Sequence, residues 1–117
     1  MTSTAVAASP QVIGAVYFNS ALYGAAAKVF FQAICSVPTG GGTCFIDLWD
    51  YNGITNGGIP QEVPGSPLST ASSSFVLLSV EVASLEGGAL PSGILQGRVW
   101  GSAGATVVVE GMLILVQ

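Results

Sequence analysis

The chain has 117 residues, half of them apolar and only 7% charged, with a net charge of −4. That length fits one domain with a sizeable core, but two cations, Lys28 and Arg98, cannot build the basic patch that nucleic-acid binding needs. The lack of any histidine removes the commonest general acid–base group, every Ser-His-Asp triad and every His-bearing zinc site.

In chain order, residues 1–11 ("MTSTAVAASPQ") read as an arm of small residues, disordered or docked on a neighbour. This opening has neither the positive charges nor the long apolar run of a signal peptide, so synthesis and folding in a cytoplasm are expected. Residues 12–117 read as a single domain. Glycine and proline punctuate short runs rich in valine, serine and threonine, the pattern of an all-β fold. Strands are predicted at 12–18, 28–37, 43–51, 75–84, 94–100 and 105–116, with short additions near 20–23 and 61–70. "SALYGAAA" at 20–27 reads alternatively as a helical turn, since Gly24 and its shortness disfavour a full helix. The stretch 52–74 is mostly loop, with turn signals at Asn52-Gly53 and Asn56-Gly57. The longest apolar run, "ATVVVEGMLILVQ", contains Glu110 and falls short of the ~20 residues of a membrane-spanning helix.

Both cysteines lie in "ICSVPTGGGTC". With "TGG" at the tip of a hairpin over 28–51, Cys35 falls opposite Cys44, Ala33 opposite Ile46 and Phe31 opposite Leu48. One face is then wholly apolar: Val29, Phe31, Ala33, Cys35, Cys44, Ile46 and Leu48. A one-residue slip would turn one strand's set over, which favours this register. Opposed residues at a non-hydrogen-bonded site have Cα atoms ~4.5 Å apart, so a Cys35–Cys44 disulfide is sterically allowed. A reducing cytoplasm disfavours it, and later exposure to an oxidising medium favours it. The spacing is not the Cys-x-x-Cys of a redox catalyst.

The opposite face of this hairpin carries Phe30, Ile34, Phe45 and Trp49 beside Lys28, Gln32, Ser36, Thr43 and Asp47, too many large apolar groups for a solvated surface. The same surplus recurs elsewhere. In 75–84, Val76, Leu78, Val80 and Val82 share a face, and Phe75, Leu77 and Ala83 share the other with Ser79 and Glu81. In 105–116, Val107, Val109, Leu113 and Leu115 face one way, and Thr106, Val108, Glu110, Met112, Ile114 and Val116 the other. An antiparallel two-sheet β-sandwich accounts for the first face of each strand. The second faces call for association or for a covering loop such as 52–74.

The segments "KVFFQAICSV", "CFIDLWDYNG", "SPLSTASSSFVLLSVEV" and "LPSGILQGRVWGSAGATVVVEGMLILV" together resemble a jelly-roll β-sandwich module found in phage virion proteins and in bacterial surface or carbohydrate-binding proteins. The resemblance covers roughly residues 28–116 and is one of pattern, with no catalytic motif. Two departures are Gly97, where a larger residue is usual, and the scarcity of surface charge, which favours a version packed in an assembly.

Candidate chemistry is thin. No serine sits in a nucleophile elbow, and "PTGGGT" lacks the lysine of a phosphate loop. Asp47 and Asp50 lie on opposite faces of one strand, and Glu81 with Glu110 read as structural or solvated. "DYNGITN" gathers Asp50, Asn52 and Asn56, but Asn-Gly is ordinary turn chemistry, so neither metal nor other cofactor is expected. An enzyme is therefore not expected. The resemblance implies instead a capsid decoration or cement protein that assembles as a dimer or trimer, binds the major capsid protein, and resides in a virion assembled in the host cytoplasm. Phe30, Ile34, Phe45 and Trp49 are the expected partner-binding residues, with the arm reaching a neighbour. The alternative is a carbohydrate-binding or adhesin module whose ligand loop comprises Asp47, Tyr51 and Asn52 beside Trp49, with Tyr17, Tyr23 and Trp100 as further stacking platforms.

Overall fold

The structure is a computed structural model describing residues 3–5, 9–19, 22–23, 28–38, 41–53, 58–82, 93–102 and 105–117. Among these residues the regular elements are all strands: β1 (Ser3–Ala5), β2 (Gln11–Phe18), β3 (Val29–Ser36), β4 (Cys44–Asp50), β5 (Gln61–Glu62), β6 (Leu68–Thr70), β7 (Val76–Glu81), β8 (Gly93–Gly101) and β9 (Val107–Val116). They form two antiparallel sheets, ordered β1-β9-β3-β7 and β2-β8-β4, with β5 and β6 sharing the far side of β4. The all-β sandwich expected from the alternation is thus present. The predicted extra strand near 20–23 is absent at Leu22 and Tyr23, where the Leu22 amide closes a turn on the Asn19 carbonyl. The rest of 20–27 lies outside the described residues.

The hairpin over 28–51 is not formed. β3 pairs with β7 and β9, whereas β4 pairs with β8, β5 and β6. The segment between them therefore carries the chain from one sheet to the other. The predicted apolar face survives, because residues that face each other across a core obey the same alternation as residues paired in a ladder. Val29, Phe31, Ala33 and Cys35 from β3 meet Cys44, Ile46 and Leu48 from β4, all at most 2% exposed. Each fully buried large side chain in such a row contributes roughly 1.5–3 kcal/mol. Val76, Leu78 and Val80 of β7 face the same core, as their alternation predicts, and Val82 is buried just beyond it.

β9 departs from its predicted faces in its second half. Val107 and Val109 are buried as expected, but Leu113 is 51% exposed, and Met112, Ile114 and Val116 pack on the core instead. The cause is a bulge: Ile34 pairs with Gly111 and Cys35 with Val109, which leaves Glu110 without an opposite residue. One extra residue reverses every side chain that follows. The bulge also explains Gly97. A Cβ on Gly97 would collide with the Met112 sulfur, so Met112, turned inward by the bulge, occupies the volume that a larger residue at 97 would fill.

The outer side of β4 is covered in pieces. β6 takes Cys44–Ile46 and β5 takes Trp49–Asp50. Between them, Leu48 gives its amide to the buried Ser66 hydroxyl (3.1 Å), and its carbonyl accepts from the Val63 amide (2.9 Å). The main chain of this buried strand is thereby satisfied where no ladder reaches it.

Candidate interaction surfaces

Two outer faces remain once the core is assigned, and they divide the predicted partner-binding set. Phe30 and Ile34 lie on the outer face of the β1-β9-β3-β7 sheet. Phe45 and Trp49 lie on the outer face of the other sheet, so the four do not form one patch. The division follows from the missing hairpin, because β3 and β4 turn their outward rows in opposite directions.

On the first face Ile34 is paired with Leu77, Gln32 lies between Ser79 and Leu113, and Phe30 lies between Glu81 and Leu115. Ile34 is 39%, Leu77 63% and Leu113 51% exposed, with Phe75 and Leu115 also exposed. Gln32 Nε2 donates to Ser79 Oγ at 3.1 Å across this surface, and Glu81 stands at its end beside Phe30. An array of this kind is uncommon on the surface of a solvated monomer.

The second face is built differently. Strand pairing sets Phe45 opposite Trp100, Asp47 opposite Arg98, and Trp49 opposite Gln96. The Phe45 and Trp100 rings stack at 5.5 Å. The Arg98 guanidinium grips Asp47 through two bonds, Nε to Oδ1 at 2.9 Å and a terminal nitrogen to Oδ2 at 2.5 Å. It also lies over the Trp49 ring, 3.9 Å from the centroid, a cation–π contact that shields the pair from water. Asp47 is fully buried although it sits on the outward row, roofed by its neighbours.

Glu62, opposite Trp49 on β5, hydrogen-bonds the Asp47 carboxyl. That bond, together with burial and the Asp47 charge, pushes Glu62 up to about 7, while Arg98 opposes the rise. An unfolded glutamate titrates near ~4.3, so Glu62 binds its proton more tightly in the folded chain. Its contribution to stability is full below about pH 4.3 and disappears as pH rises through about 7. The Glu62→Gln variant, which keeps a donor for Asp47, is expected to lose less stability than wild type between pH 5 and pH 8. Urea melts across that range check this, and equal slopes for the two proteins would refute the raised Glu62.

The predicted ligand loop is largely taken up within the chain. Asp47 is closed beneath Arg98, and Asn52 Oδ1 accepts the Ile94 amide at 2.7 Å. Tyr51 is half exposed. Asp50 is buried, and its Oδ1 accepts the Gly53 amide at 3.0 Å to close the Asn-Gly turn. Asn56, the third oxygen of that sequence, lies outside the described residues. Cys35 and Cys44 are both free and buried. Ser3–Ala5 of the arm form β1 and pair with Val107–Val109 of β9. The Asp47–Arg98–Glu62 cluster escapes sequence reasoning. Its only sequence signal is that one of two cations in the chain stands two residues before a tryptophan.

No family model, curated protein or solved structure matches the chain.

Proposed function

We propose that the chain is a non-enzymatic structural virion protein, a capsid decoration or cement protein that self-associates and binds across capsid subunits to stabilise the shell. The observation that carries this reading is the exposed apolar array of Ile34, Leu77, Leu113 and Leu115 on a chain with so few charges. Contact with several subunits at once would raise avidity and favour the assembled shell over its parts. The jelly-roll character of the module is supported by the interleaved strand orders, in which β1, β9, β3 and β7 build one sheet and β2, β8 and β4 the other.

The test is co-purification with capsids together with the sedimentation of the isolated protein. Leu77→Lys with Leu113→Lys changes two exposed positions and spares the core. The variant is expected to stay folded by circular dichroism, to sediment as a smaller species, and to lose capsid retention by about tenfold or more. A wild-type protein that is monomeric and ignores capsids defeats the proposal.

The second reading, a carbohydrate-binding module, is favoured by the exposed Tyr51 ring just beyond Trp49. Tyr51→Ala discriminates better than a change at Trp49, because Trp49 also covers Arg98. Loss of retention on a polysaccharide column with an unchanged oligomer would favour the carbohydrate reading.

A further inference from the structure

Cys35 and Cys44 sit on the central strands of opposite sheets, β3 and β4. Both side chains are completely buried in the same core cluster, and Cα atoms of β3 and β4 come within 8 Å of each other. Facing sheets are normally ~10 Å apart, too far for two cysteines in general. Here the pair lies at the adjoining ends of β3 and β4, where the chain passes from one sheet to the other, and each thiol perturbs the other's titration. A bridge between sheets at a comparable place is a recurrent feature of immunoglobulin-type sandwiches.

We propose that Cys35 and Cys44 are an oxidation site, forming an intramolecular disulfide that ties the two sheets together when the chain meets a small-molecule disulfide such as oxidised glutathione. The Cys35 thiolate attacks one glutathione sulfur, breaks its S–S bond and expels one glutathione thiolate, leaving a mixed disulfide. Cys44 then loses its proton to that thiolate and attacks the Cys35 sulfur, expelling the second glutathione. Two cysteine thiols are oxidised and one glutathione disulfide is reduced to two thiols. The roles of the two cysteines can be exchanged without changing this balance. Burial keeps the reagent from the folded pair, so the exchange takes place while the chain folds or when this end of the sandwich opens. None of this depends on what the outer faces bind.

The test refolds the full chain from denaturant in a buffer of reduced and oxidised glutathione, then measures intact mass, maps the linked peptides and records the melting temperature. The expected product has lost the mass of two hydrogens, carries a Cys35–Cys44 link, and melts about 10 °C above the same sample after reduction. Cys35→Ser and Cys44→Ser should show no such gain. The proposal is overturned if the refolded chain keeps both thiols in a buffer that oxidises the denatured chain. It is equally overturned if the link joins separate molecules, or if the bridged form melts below the reduced one.

Discussion

Arg98→Ala is expected to be among the most damaging single substitutions in the described part of the fold, costing about 3–5 kcal/mol. The arginine supplies both bonds that satisfy the fully buried Asp47 carboxylate and covers the Trp49 ring. Without it the carboxylate stays enclosed with no cation, beside the Glu62 carboxyl, whose own titration it already raises. Lysine is a poor substitute, since a single ammonium does not reproduce the two-pronged grip. The pair and its parts should behave differently. Replacing Asp47 and Arg98 together by apolar residues of similar volume removes the desolvated charge as well as its partner, and such swaps are often neutral or stabilising. Urea unfolding of the two single variants and the double variant measures this. A double variant as unstable as Arg98→Ala would show that packing on Trp49, not charge, dominates.

Gly53→Ala should destabilise by about 3 kcal/mol and lower the melting temperature by about 10 °C. Gly53 adopts φ +64°, a left-handed conformation that glycine enters without cost. Strain is only part of the effect. A Cβ at this position would collide with the backbone of Ile59 and Gly58, and backbone cannot step aside as a side-chain tip can. The turn also holds its surroundings in place. The Gly53 amide donates to Asp50, the Gly53 carbonyl accepts the Gly58 amide at 2.7 Å, and the neighbouring Asn52 and Tyr51 bond Ile94 on β8. Gly58→Ala provides the control. It too has positive φ, at +92°, but open space around its missing Cβ, so it should cost clearly less. Thermal melts of both variants test the comparison, and equal losses would mean that backbone strain alone sets the effect.

The sequence made the faces of β3, β4 and β7 legible because alternation depends only on which side of a strand meets the core. It left the partners of those strands illegible for the same reason. A hairpin and a crossing between sheets both bury Phe31, Ala33, Cys35, Cys44, Ile46 and Leu48. Gly111 inside an otherwise apolar strand was a readable sign of a bulge, since an isolated glycine in a strand often marks one. Without the bulge, strict alternation places Leu113 and Leu115 in the core and Met112 and Ile114 outside it. The roofed ion pair had no local signature. Asp47 and Arg98 become neighbours only when β4 and β8 pair, and nothing in the spacing of two residues so far apart records that register.

The interleaving of the strands also constrains how the molecule comes into being. β9 lies between β1 and β3, and β8 lies between β2 and β4. Neither sheet can therefore grow outward from an early hairpin, because the strand that joins its two halves comes late in the sequence. Apart from β4 with β5, joined across residues 51–60, the pairings close long loops, which places the chain among slow-folding topologies. A nascent chain that has not yet supplied β8 and β9 holds two incomplete half-sheets with bare edges and apolar inner rows. Until then it has neither the outer surface through which it would assemble nor protection against pairing with the wrong neighbour.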